Sequence, residues 1–341
     1  MAKRMPVLTY CARSWRKTVT DRTLHPDEEQ LDGRSVQLIR AAPTRPNLII
    51  GGQSKSGTTA LYSYLRQHPD VFLSDLKEPN FFMNGYGIRT EREYLSCFSD
   101  GRKAAVRGEA SASYLSVAEA PARIAKAFGP DIKLIFLLRN PVDMAYSLWS
   151  HIRRTGVEDL SFVDALTAEH RRLTEPDYGR AIKGTWPMNG LYRARADYGL
   201  QIRRWQSVFP SNQLHFIAFE RFSQDPAAAY CDVLDFLNIE QQPLKAAERV
   251  NPASSPRSMR LQRAVGGCWP GKSVIRRVLP RSFRGAIKSG VQSMNQKVRE
   301  NPPIDRELRV KLWQKLRSSA AEADELTGLK IFETWDRENT S

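Results

Sequence analysis

The sequence predicts an α/β fold of three layers, in which a central parallel sheet is flanked by helices. Short apolar runs at residues 48–50 and 133–138 have the nearly continuous hydrophobicity of strands that are buried on both faces. Segments with helical spacing of apolar residues follow such runs, for example at 58–68. Because strands that alternate with helices form parallel sheets with right-handed crossovers, this pattern favours the three-layer α/β class.

The remaining elements continue this alternation along the chain. The first strand ends in Gly51-Gly52, and Pro69 stops the helix that begins at residue 58. Pro141 stands at the first position of another predicted helix, where proline is well tolerated. Further strands are predicted at 71–73 and 214–219, further helices at 120–128, 141–151 and 227–237, and a helical tail at 305–335.

The chain has 341 residues, of which 41% are hydrophobic, and this allows one large domain or two modest ones with a sizeable core. The segment PTRPN at 43–47 is typical of a linker, so we expect an N-terminal extension at 1–46 and the main domain at 47–341. The N-terminus lacks the apolar segment of a secretory signal, and no run approaches the ~20 apolar residues that cross a bilayer. These features favour a cytoplasmic location.

Charge and cysteine content restrict the partners of the chain. The net charge is +15 and the isoelectric point is near 9.8. Such an excess raises the local concentration of nucleic acid, acidic membranes, anionic polysaccharides or a highly charged cofactor. The cysteines form no C-x-x-C pair, so we expect reduced thiols and predict neither a metal site nor a disulfide framework at Cys11, Cys97, Cys231 and Cys268.

The segment LIIGGQSKSGTTALYSYL at 48–65 predicts an anion-binding loop. An apolar strand enters a glycine-rich turn that opens a helix, where backbone N–H groups and the helix dipole favour an anion. Gly57 allows the chain to approach a ligand closely, and hydroxyl groups beside it are additional donors. The residues expected to contact the anion are Ser54, Lys55, Ser56, Gly57, Thr58 and Thr59.

This loop resembles a P-loop but differs from the P-loop of a nucleotide hydrolase. Gly52-x-x-x-x-Gly57 has the P-loop spacing, but a hydrolytic P-loop continues with Lys-Ser/Thr. Here the lysine is Lys55, inside the loop, from where it can reach the bridging oxygen of an anhydride. The missing lysine after the second glycine argues against Mg-dependent hydrolysis of ATP or GTP. The alternative is an ordinary glycine-rich turn with an exposed lysine.

A second anion site is predicted at the end of the strand at 133–138. This strand places Arg139 at its carboxyl end, the edge at which open parallel sheets bind ligands. A P-loop NTPase usually has a metal-binding Asp there, whereas an arginine suits a bare phosphate, which its planar group clamps with two hydrogen bonds. Ser147, two turns into the next helix, is expected to add a hydroxyl group. A surface ion pair between Arg139 and Asp143 is the alternative.

Together these segments resemble the PAPS-dependent sulfotransferase family (PAPS is 3′-phosphoadenosine 5′-phosphosulfate), most closely its heparan-sulfate-type branch and bacterial relatives. The resemblance is strong over residues 48–239 and weaker over 302–335. Residues 53–59 match the family's 5′-phosphosulfate loop, and residues 139–147 match its 3′-phosphate motif. Residues 77–82 match its Lys-Glu-Pro-x-Phe-Phe segment, and residues 109–115 match its Glu-Lys-(Ser/Thr)-x-x-Tyr-Phe motif. Residues 190–210 match its Gly-x-Tyr…Trp…Phe-Pro stretch.

The resemblance implies a reaction and a set of roles. A sulfuryl group would move from PAPS, without a metal, to a hydroxyl or amine of a carbohydrate-like or small-molecule acceptor. Glu109 would be the base, Lys55 would stabilise the leaving oxygen, and Lys77 would assist at the phosphosulfate or the acceptor. Arg257 is expected near the 3′-phosphate. One departure is Ala110, which stands where many relatives have lysine.

Several alternatives remain open for single residues. Glu109 would be structural if it capped a helix or paired with Arg107. His68 and His151 are candidate bases, because other branches of the family use histidine, although a structural role is favoured for both. Trp186 would either stack on a sugar or pack inside a loop.

Alternatives also remain for the basic segment and for the whole chain. Residues 251–299 contain no Asp or Glu, and this segment would line an acceptor groove, rest on an anionic membrane or form a solvated helical face. For the chain as a whole, one alternative is a P-loop kinase or NTPase. The other is a basic non-catalytic nucleic-acid-binding protein, but no nucleic-acid-reading module is present, so no nucleic acid partner is expected.

Overall fold

In the computed structural model of the protein, the described residues are 31–83, 86–174, 186–245, 254–256, 296–298 and 303–341. Their centre is a five-stranded sheet in which all neighbouring strands run parallel, in the order β2-β3-β1-β4-β5. The strands are β1 (Leu48–Gly52), β2 (Val71–Leu73), β3 (Val106–Ala110), β4 (Lys133–Leu138) and β5 (Leu214–Ala218).

Helices connect the strands and extend the chain on both sides of the sheet. Two further short strands, β6 (Ser254–Pro256) and β7 (Gln296–Val298), form a separate antiparallel pair. The helices are α1 (Gly33–Ala41), α2 (Thr58–Leu65), α3 (Glu91–Ser96), α4 (Ala120–Phe128), α5 (Pro141–Arg154), α6 (Phe162–Thr174), α7 (Tyr192–Ala196), α8 (Tyr198–Gln206), α9 (Phe219–Gln224), α10 (Pro226–Leu237), α11 (Arg306–Thr327) and α12 (Phe332–Thr340).

Successive residues of a strand point to opposite faces of the sheet. Helices cover both faces, so both sets of side chains are buried. On one face, Ile49 and Phe136 belong to a core that includes residues of α4, α5, α8 and α11. On the other face, Ile50 and Leu137 belong to a second core with residues of α2 and α10. The predicted three-layer α/β class is therefore confirmed.

The strand order brings two loops together at the centre of the carboxyl edge. β1 lies between β3 and β4, and Gly52 at the end of β1 is the register partner of Leu137 in β4. The chain leaves β1 and β4 at the same edge, so the loops that follow these strands are neighbours. This is the edge at which open parallel sheets bind ligands.

The strands at β1, β2, β4 and β5 lie where the apolar runs predict them. β3 (Val106–Ala110) was not predicted, because its sequence VRGEA has a charged residue at every second position and one glycine, and this hides its burial. The helix α1 lies inside the predicted extension at 1–46. Its Ile39 is fully buried, and the Arg40 guanidinium donates to the Lys126 carbonyl of α4, so this part of the extension packs on the main domain.

Three sequence expectations concern segments that the structure describes only in part. Among the described residues, no helix has the length and apolar character needed to cross a membrane. Cys97 and Cys231 are free thiols, whereas Cys11 and Cys268 lie outside the described residues. The same holds for residues 257–295, which make up most of the basic segment.

Candidate functional site

The loop between β1 and α2 turns through three residues with left-handed backbone conformation. Gly52, Lys55 and Gly57 have φ angles of 128°, 74° and 92°. The backbone N–H of Ser56 donates to the Gln53 carbonyl at 3.2 Å and closes the turn. Since Lys55 is not a glycine, its conformation costs on the order of 1–3 kcal/mol, a strain that is common at ligand-binding sites.

Two glycines of the loop are required by close contacts as well as by their φ angles. A Cβ atom on Gly52 would lie 2.3 Å from the Leu137 carbonyl oxygen in the neighbouring strand. A Cβ atom on Gly57 would lie 3.1 Å from the Phe219 ring. The loop therefore lies tightly against β4 and α9, which fixes where its backbone N–H groups point.

The loop also has hydrogen-bonding capacity that the protein itself does not use. The Ser56 hydroxyl is buried and has no hydrogen-bond partner among the described residues. A buried hydroxyl without a partner costs about 1–3 kcal/mol. The first N–H groups of α2, at Thr58 and Thr59, lack partners within the helix, as at every helix start. Free donors at a helix start suit a phosphate or sulfate group, so the loop fits the terminal anion of a nucleotide.

Arg139 lies directly beside this loop. Its guanidinium donates to the Lys55 backbone carbonyl at 3.1 Å and lies 4.8 Å from the centroid of the Phe219 ring. The alternative ion pair with Asp143 is not formed, because Asp143 binds Arg309 instead, at 2.5 Å. The turn after β4 therefore extends Arg139 toward the phosphate loop, as a two-site anion pocket requires.

The start of α5 is held by polar contacts that orient this turn. The Asn140 side chain accepts a hydrogen bond from the Val142 N–H at 3.1 Å and caps the helix. Asn140 also donates to Glu338 at 2.8 Å, and its backbone N–H donates to Glu220 at 2.7 Å. Ser147 lies two turns further along α5 and is half-buried, so it shares a helix with the capped turn.

Positive charges accumulate around the loop. Burial, and then the charges of Arg154 and Arg139, lower the pKa of Lys55. His151 is exposed, yet burial of its ring together with Lys55 and Arg154 lowers its pKa to about 4. We attribute this contrast to a concave surface, where many protein atoms surround a ring that solvent still reaches. These neighbouring positive charges repel one another, and a bound anion would stabilise their charged forms.

Glu109 lies in β3, next to β1, where it is the register partner of Ile49. Its side chain is fully buried and accepts hydrogen bonds from Ser111 at 2.5 Å, Tyr114 at 2.9 Å and Tyr94 at 3.2 Å. Burial raises the pKa of Glu109 to about 7, against the opposing effect of these hydroxyl donors. A carboxyl group with this pKa is poised to exchange a proton near neutral pH.

Glu109 has neither of its two alternative structural roles, which are pairing with Arg107 and capping a helix. Arg107 does not pair with it, because the Arg107 guanidinium donates to the carbonyls of Arg45 and Ala104 at 3.1 and 2.5 Å. Helix capping does not apply either, since Glu109 lies inside a strand.

The segment with Lys77 packs against the strand that contains Glu109. The Glu78 backbone N–H donates to the Ala110 carbonyl at 2.9 Å, and the Asn80 N–H donates to the Ser111 hydroxyl at 3.1 Å. Lys77 forms an ion pair with Glu78 at 3.0 Å and is partly exposed. Glu78 also raises the pKa of Glu109, so this segment modifies the electrostatics of the buried carboxyl group.

The sequence reasoning missed the residue that joins these parts. Arg195 of α7 is fully buried and donates hydrogen bonds to Gln53 and Ser54 of the loop and to Ser113, which follows Glu109. The family resemblance covers the glycine, aromatic, leucine and proline positions of the stretch at 190–210, but not its arginines. An arginine in the middle of a predominantly buried segment is the signal that would have indicated it.

Two of the three other sequence candidates have definite places. His68 is buried between the Asp70 N–H and the Glu240 carbonyl, which is the structural role favoured for it. Trp186 is 4% exposed and lies under the Arg195 guanidinium, so it is packed and does not offer a face to a sugar. Arg257 lies outside the described residues, and its expected place near the 3′-phosphate stays a prediction.

The fold and this site are those of a P-loop-like α/β protein whose loop and adjacent arginine suit anionic groups. A family model described as "Sulfotransferase domain" matches residues 45–263, and the chain belongs to this family. The predicted resemblance is thereby confirmed. The match also decides against the two alternative classes, the P-loop kinase or NTPase and the non-catalytic nucleic-acid-binding protein.

Similar proteins agree with the family assignment. Human heparan sulfate glucosamine 3-O-sulfotransferase 3B1 is 32% identical over 198 residues, which are 58% of this chain and 47% of that protein. Mouse bifunctional heparan sulfate N-deacetylase/N-sulfotransferase 4 is 30% identical over 211 residues, 57% of this chain and 22% of that protein. The chain thus matches about half the length, or less, of these relatives.

A solved structure agrees over most of the chain. The sulfotransferase from Alicyclobacillus acidocaldarius has a TM-score of 0.63 and 27% sequence identity, covering 86% of this chain and 99% of that one. The predicted P-loop-like fold is therefore shared with a known sulfotransferase.

Proposed function

We propose that the chain transfers a sulfuryl group from PAPS to a hydroxyl or amine of a carbohydrate-like acceptor. The observation that carries this proposal is the contact between the Arg139 guanidinium and the Lys55 backbone at 3.1 Å. It joins the phosphate loop and the arginine of the second anion site in one pocket, so a single nucleotide with two anionic ends can contact both.

Each end of the donor has residues that suit it. The 5′-phosphosulfate would be held by the loop, where the unpartnered Ser56 hydroxyl is already buried. The 3′-phosphate would be held by Arg139, and Ser147 of the following helix is proposed to add its hydroxyl group. PAPS supplies the activated sulfuryl group. The loop residues proposed to bind it are Ser54, Lys55, Ser56, Gly57, Thr58 and Thr59.

The protein's part in the reaction is positioning and charge stabilisation, as in phosphoryl transfer. Lys55 would stabilise the negative charge on the oxygen that leaves with the nucleotide. Burial, and then the charges of Arg154 and Arg139, lower the pKa of Lys55, and an anion beside it would relieve the repulsion from these cations. Lys77 is proposed to assist at the acceptor side, because its ion pair with Glu78 places it beside the segment of Glu109.

Glu109 is proposed as the base that takes the proton of the acceptor. A carboxylate has about four acceptor positions, and the three hydroxyl donors occupy two on Oε1 and one on Oε2. One position on Oε2 remains for the acceptor proton. The pKa of about 7 matches this task at neutral pH.

A carbohydrate acceptor is supported by the similar proteins, which are sulfotransferases of heparan sulfate. The net charge of +15 fits an acceptor that is itself anionic. Contact of the basic segment 251–299 with an anionic membrane, and a cytoplasmic location, stay proposals that rest on the sequence alone.

The two-site pocket is tested by nucleotide binding. Calorimetry would compare 3′-phosphoadenosine 5′-phosphate (PAP) with AMP, for the wild type and for Arg139→Ala. An arginine–phosphate hydrogen bond contributes about 1.5–3 kcal/mol, so we expect Arg139→Ala to weaken PAP binding roughly 10- to 100-fold and AMP binding far less. Arg102→Ala, an exposed residue before the amino end of β3, is the matched control.

Equal losses for PAP and AMP would remove the assignment of Arg139 to the 3′-phosphate. The reaction itself is tested with labelled PAPS and heparan-sulfate-type oligosaccharides, followed by mass spectrometry for an added sulfuryl group. Absence of transfer to these and to other glycans, amines and alcohols, by a protein that binds PAPS, would overturn the proposed acceptor class.

A further inference from the structure

Arg195 is a buried cation to which the proposed reaction assigns no role. Its side chain has no exposed surface, and its guanidinium carbon lies 5.0 Å from the centroid of the Trp186 ring. Among the described residues, no carboxylate lies within ion-pair distance of it. The acidic group that acts on it electrostatically is Glu78, which forms its own ion pair with Lys77. A buried charge without a bonded counter-ion is costly, and such groups are usually retained for function.

All hydrogen-bond partners of this guanidinium are neutral. Nε donates to Gln53 Oε1 at 3.0 Å, and the terminal nitrogens donate to Asn189 Oδ1 at 2.9 Å, Ser54 Oγ at 3.2 Å and Ser113 Oγ at 3.4 Å. A guanidinium group only donates hydrogen bonds. Each of these four partners must therefore present an oxygen lone pair to Arg195. This fixes the direction of the other hydrogen bonds that each partner forms.

The first consequence is a directed network below the loop. Because Gln53 presents Oε1 to Arg195, its amide nitrogen donates to Ser116 at 2.6 Å and to Gln201 at 2.7 Å. Gln201 in turn donates to the backbone carbonyl of Ala194 at 2.9 Å. The network ties the loop to α7 and α8 and to the turn that follows Glu109, and all these side chains are buried.

The second consequence concerns Ser54, which lies in the loop itself. Its oxygen accepts the hydrogen bond from Arg195, so its own proton must point to another acceptor. Ser54 is half-buried and precedes Lys55 and the unpartnered Ser56 hydroxyl. An anion in the loop is the acceptor that would receive the Ser54 proton.

We propose that Arg195 is a positioning residue for the donor, which holds the Ser54 hydroxyl with its proton directed at the 5′-phosphosulfate. The inference rests on the proposed function, since the anion in the loop is the sulfated end of PAPS. Arg195 does not touch the donor; it acts through Ser54. The charged guanidinium of Arg195 also polarises the Ser54 hydroxyl, which strengthens the hydrogen bond from that hydroxyl to the anion.

The test is a double-mutant cycle on nucleotide affinity. Dissociation constants of PAP and AMP would be measured for the wild type, Arg195→Gln, Ser54→Ala and the double variant. We expect Arg195→Gln to weaken both nucleotides by the same factor, roughly 10- to 100-fold, because both have the 5′-phosphate. In the Ser54→Ala background the same change should add less than about threefold, because the hydroxyl through which it acts is gone.

A purely structural role predicts a different pattern. The two substitutions would then be additive, and that result would overturn the proposal. Arg195→Lys keeps the charge and one hydrogen-bonding group, so it should recover most of the nucleotide affinity. If Arg195 acted only by binding all four partners to hold the structure, lysine would not restore the affinity. Arg102→Gln, an exposed arginine beyond the other edge of the sheet, controls for the loss of one charge.

The outcome also separates this inference from the function on which it rests. A wild type that binds neither nucleotide would remove both. A wild type that binds PAP, with Arg195→Gln within twofold of it, would remove only the role of Arg195. Should Arg195→Gln fail to fold, the smaller loss of nucleotide affinity expected for Arg195→Lys is measured with and without Ser54→Ala. A loss that disappears in the Ser54→Ala background supports the role, whereas the same loss in both backgrounds, or none in either, overturns it.

Discussion

Glu109 is subject to two opposing effects at once. Complete burial destabilises its charged form, while hydroxyl groups of Ser111, Tyr114 and Tyr94 stabilise it. Burial dominates and leaves the pKa of Glu109 at about 7. The exposed alternative, His151, has a pKa of about 4, because burial of its ring, and then the charges of Lys55 and Arg154, disfavour its protonated form. The two candidate bases therefore predict different pH dependences.

A base must be deprotonated to act, so activity falls as the pH falls below its pKa. With Glu109 as the base, we expect kcat to decline below about pH 7, approaching tenfold per pH unit. Glu109→Gln should lower kcat by on the order of 10²- to 10⁴-fold and leave the dissociation constant of PAP within about threefold. The measurement is kcat against pH at saturating PAPS and acceptor, together with PAP calorimetry.

His151→Gln is the matched comparison, and it should leave the limb near pH 7 in place. If His151 is the base, kcat of the wild type is instead flat from about pH 5.5 to 8. Turnover of Glu109→Gln within threefold of the wild type would rule out Glu109.

Residues in the phosphate loop could be found from sequence because their spacing is local, as Gly52, Lys55 and Gly57 show. The hydrogen-bond network of Arg195 could not, because three of its four partners, Ser113, Ser54 and Gln53, lie 82 to 142 positions away along the chain. Contacts of this range depend on how α7 packs beneath the loop, and no local pattern encodes them.

At the level of elements, α6 is held to the region around α7 by two buried ion pairs. Arg172 binds Glu158 with both terminal nitrogens at 2.7 and 2.8 Å, and Tyr192 donates to the same carboxylate at 2.7 Å. Arg193 binds the fully buried Glu169 at 2.7 Å. Because α7 contains Arg195, these pairs also help to place the network beneath the loop.

Removing one partner of such a pair leaves an uncompensated buried charge. We expect Arg172→Met to lower the free energy of unfolding by about 3–5 kcal/mol, measured by urea denaturation at pH 7. The control Lys311→Met breaks the exposed pair with Glu307 and should cost no more than about 0.5 kcal/mol. A loss below 1 kcal/mol for Arg172→Met would show that the pair does not hold α6.

The pH dependence of this loss has a definite sign. Hydrogen bonds from Arg172 and Tyr192, opposed by burial, lower the pKa of Glu158 below its ordinary value of 4.5. A lowered pKa contributes stability that is present above pH 4.5 and is lost as the pH falls through the folded-state pKa. The difference between the wild type and Arg172→Met should therefore shrink at low pH.

Elements whose apolar runs are continuous, such as β4 (Lys133–Leu138), were predictable because burial on both faces removes polar residues from them. The strand β3 (Val106–Ala110) was not, because Arg107 and Glu109 interrupt its apolar pattern. The apolar pattern fails to show both the proposed base and the strand that positions it for the same reason, because a carboxyl group lies in a buried strand. The family resemblance, not periodicity, indicated Glu109.

For the whole molecule, the strand order β2-β3-β1-β4-β5 brings the phosphate loop and Arg139 together. The C-terminal helix α12 completes that edge, since Glu338 and Asn339 contact Asn140 at 2.8 and 3.1 Å. Alternation of strands and helices predicted the layers, but the order of strands follows from packing across the sheet. The pocket is thus a product of the topology, although its residues come from two local motifs.

The net charge of +15 leads to a prediction about the acceptor. Long-range attraction is screened by salt, with a Debye length of about 10 Å at 0.1 M. Binding of an anionic heparan-sulfate-type oligosaccharide should therefore weaken by about tenfold or more between 50 and 300 mM NaCl, whereas a desulfated, carboxyl-reduced counterpart should change little. Fluorescence titration with saturating PAP keeps the donor site filled, and sucrose of equal osmolarity controls for effects other than screening. Equal salt dependence for both oligosaccharides would show that the positive charge of the chain does not select its acceptor, and would favour an uncharged acceptor over an anionic polysaccharide.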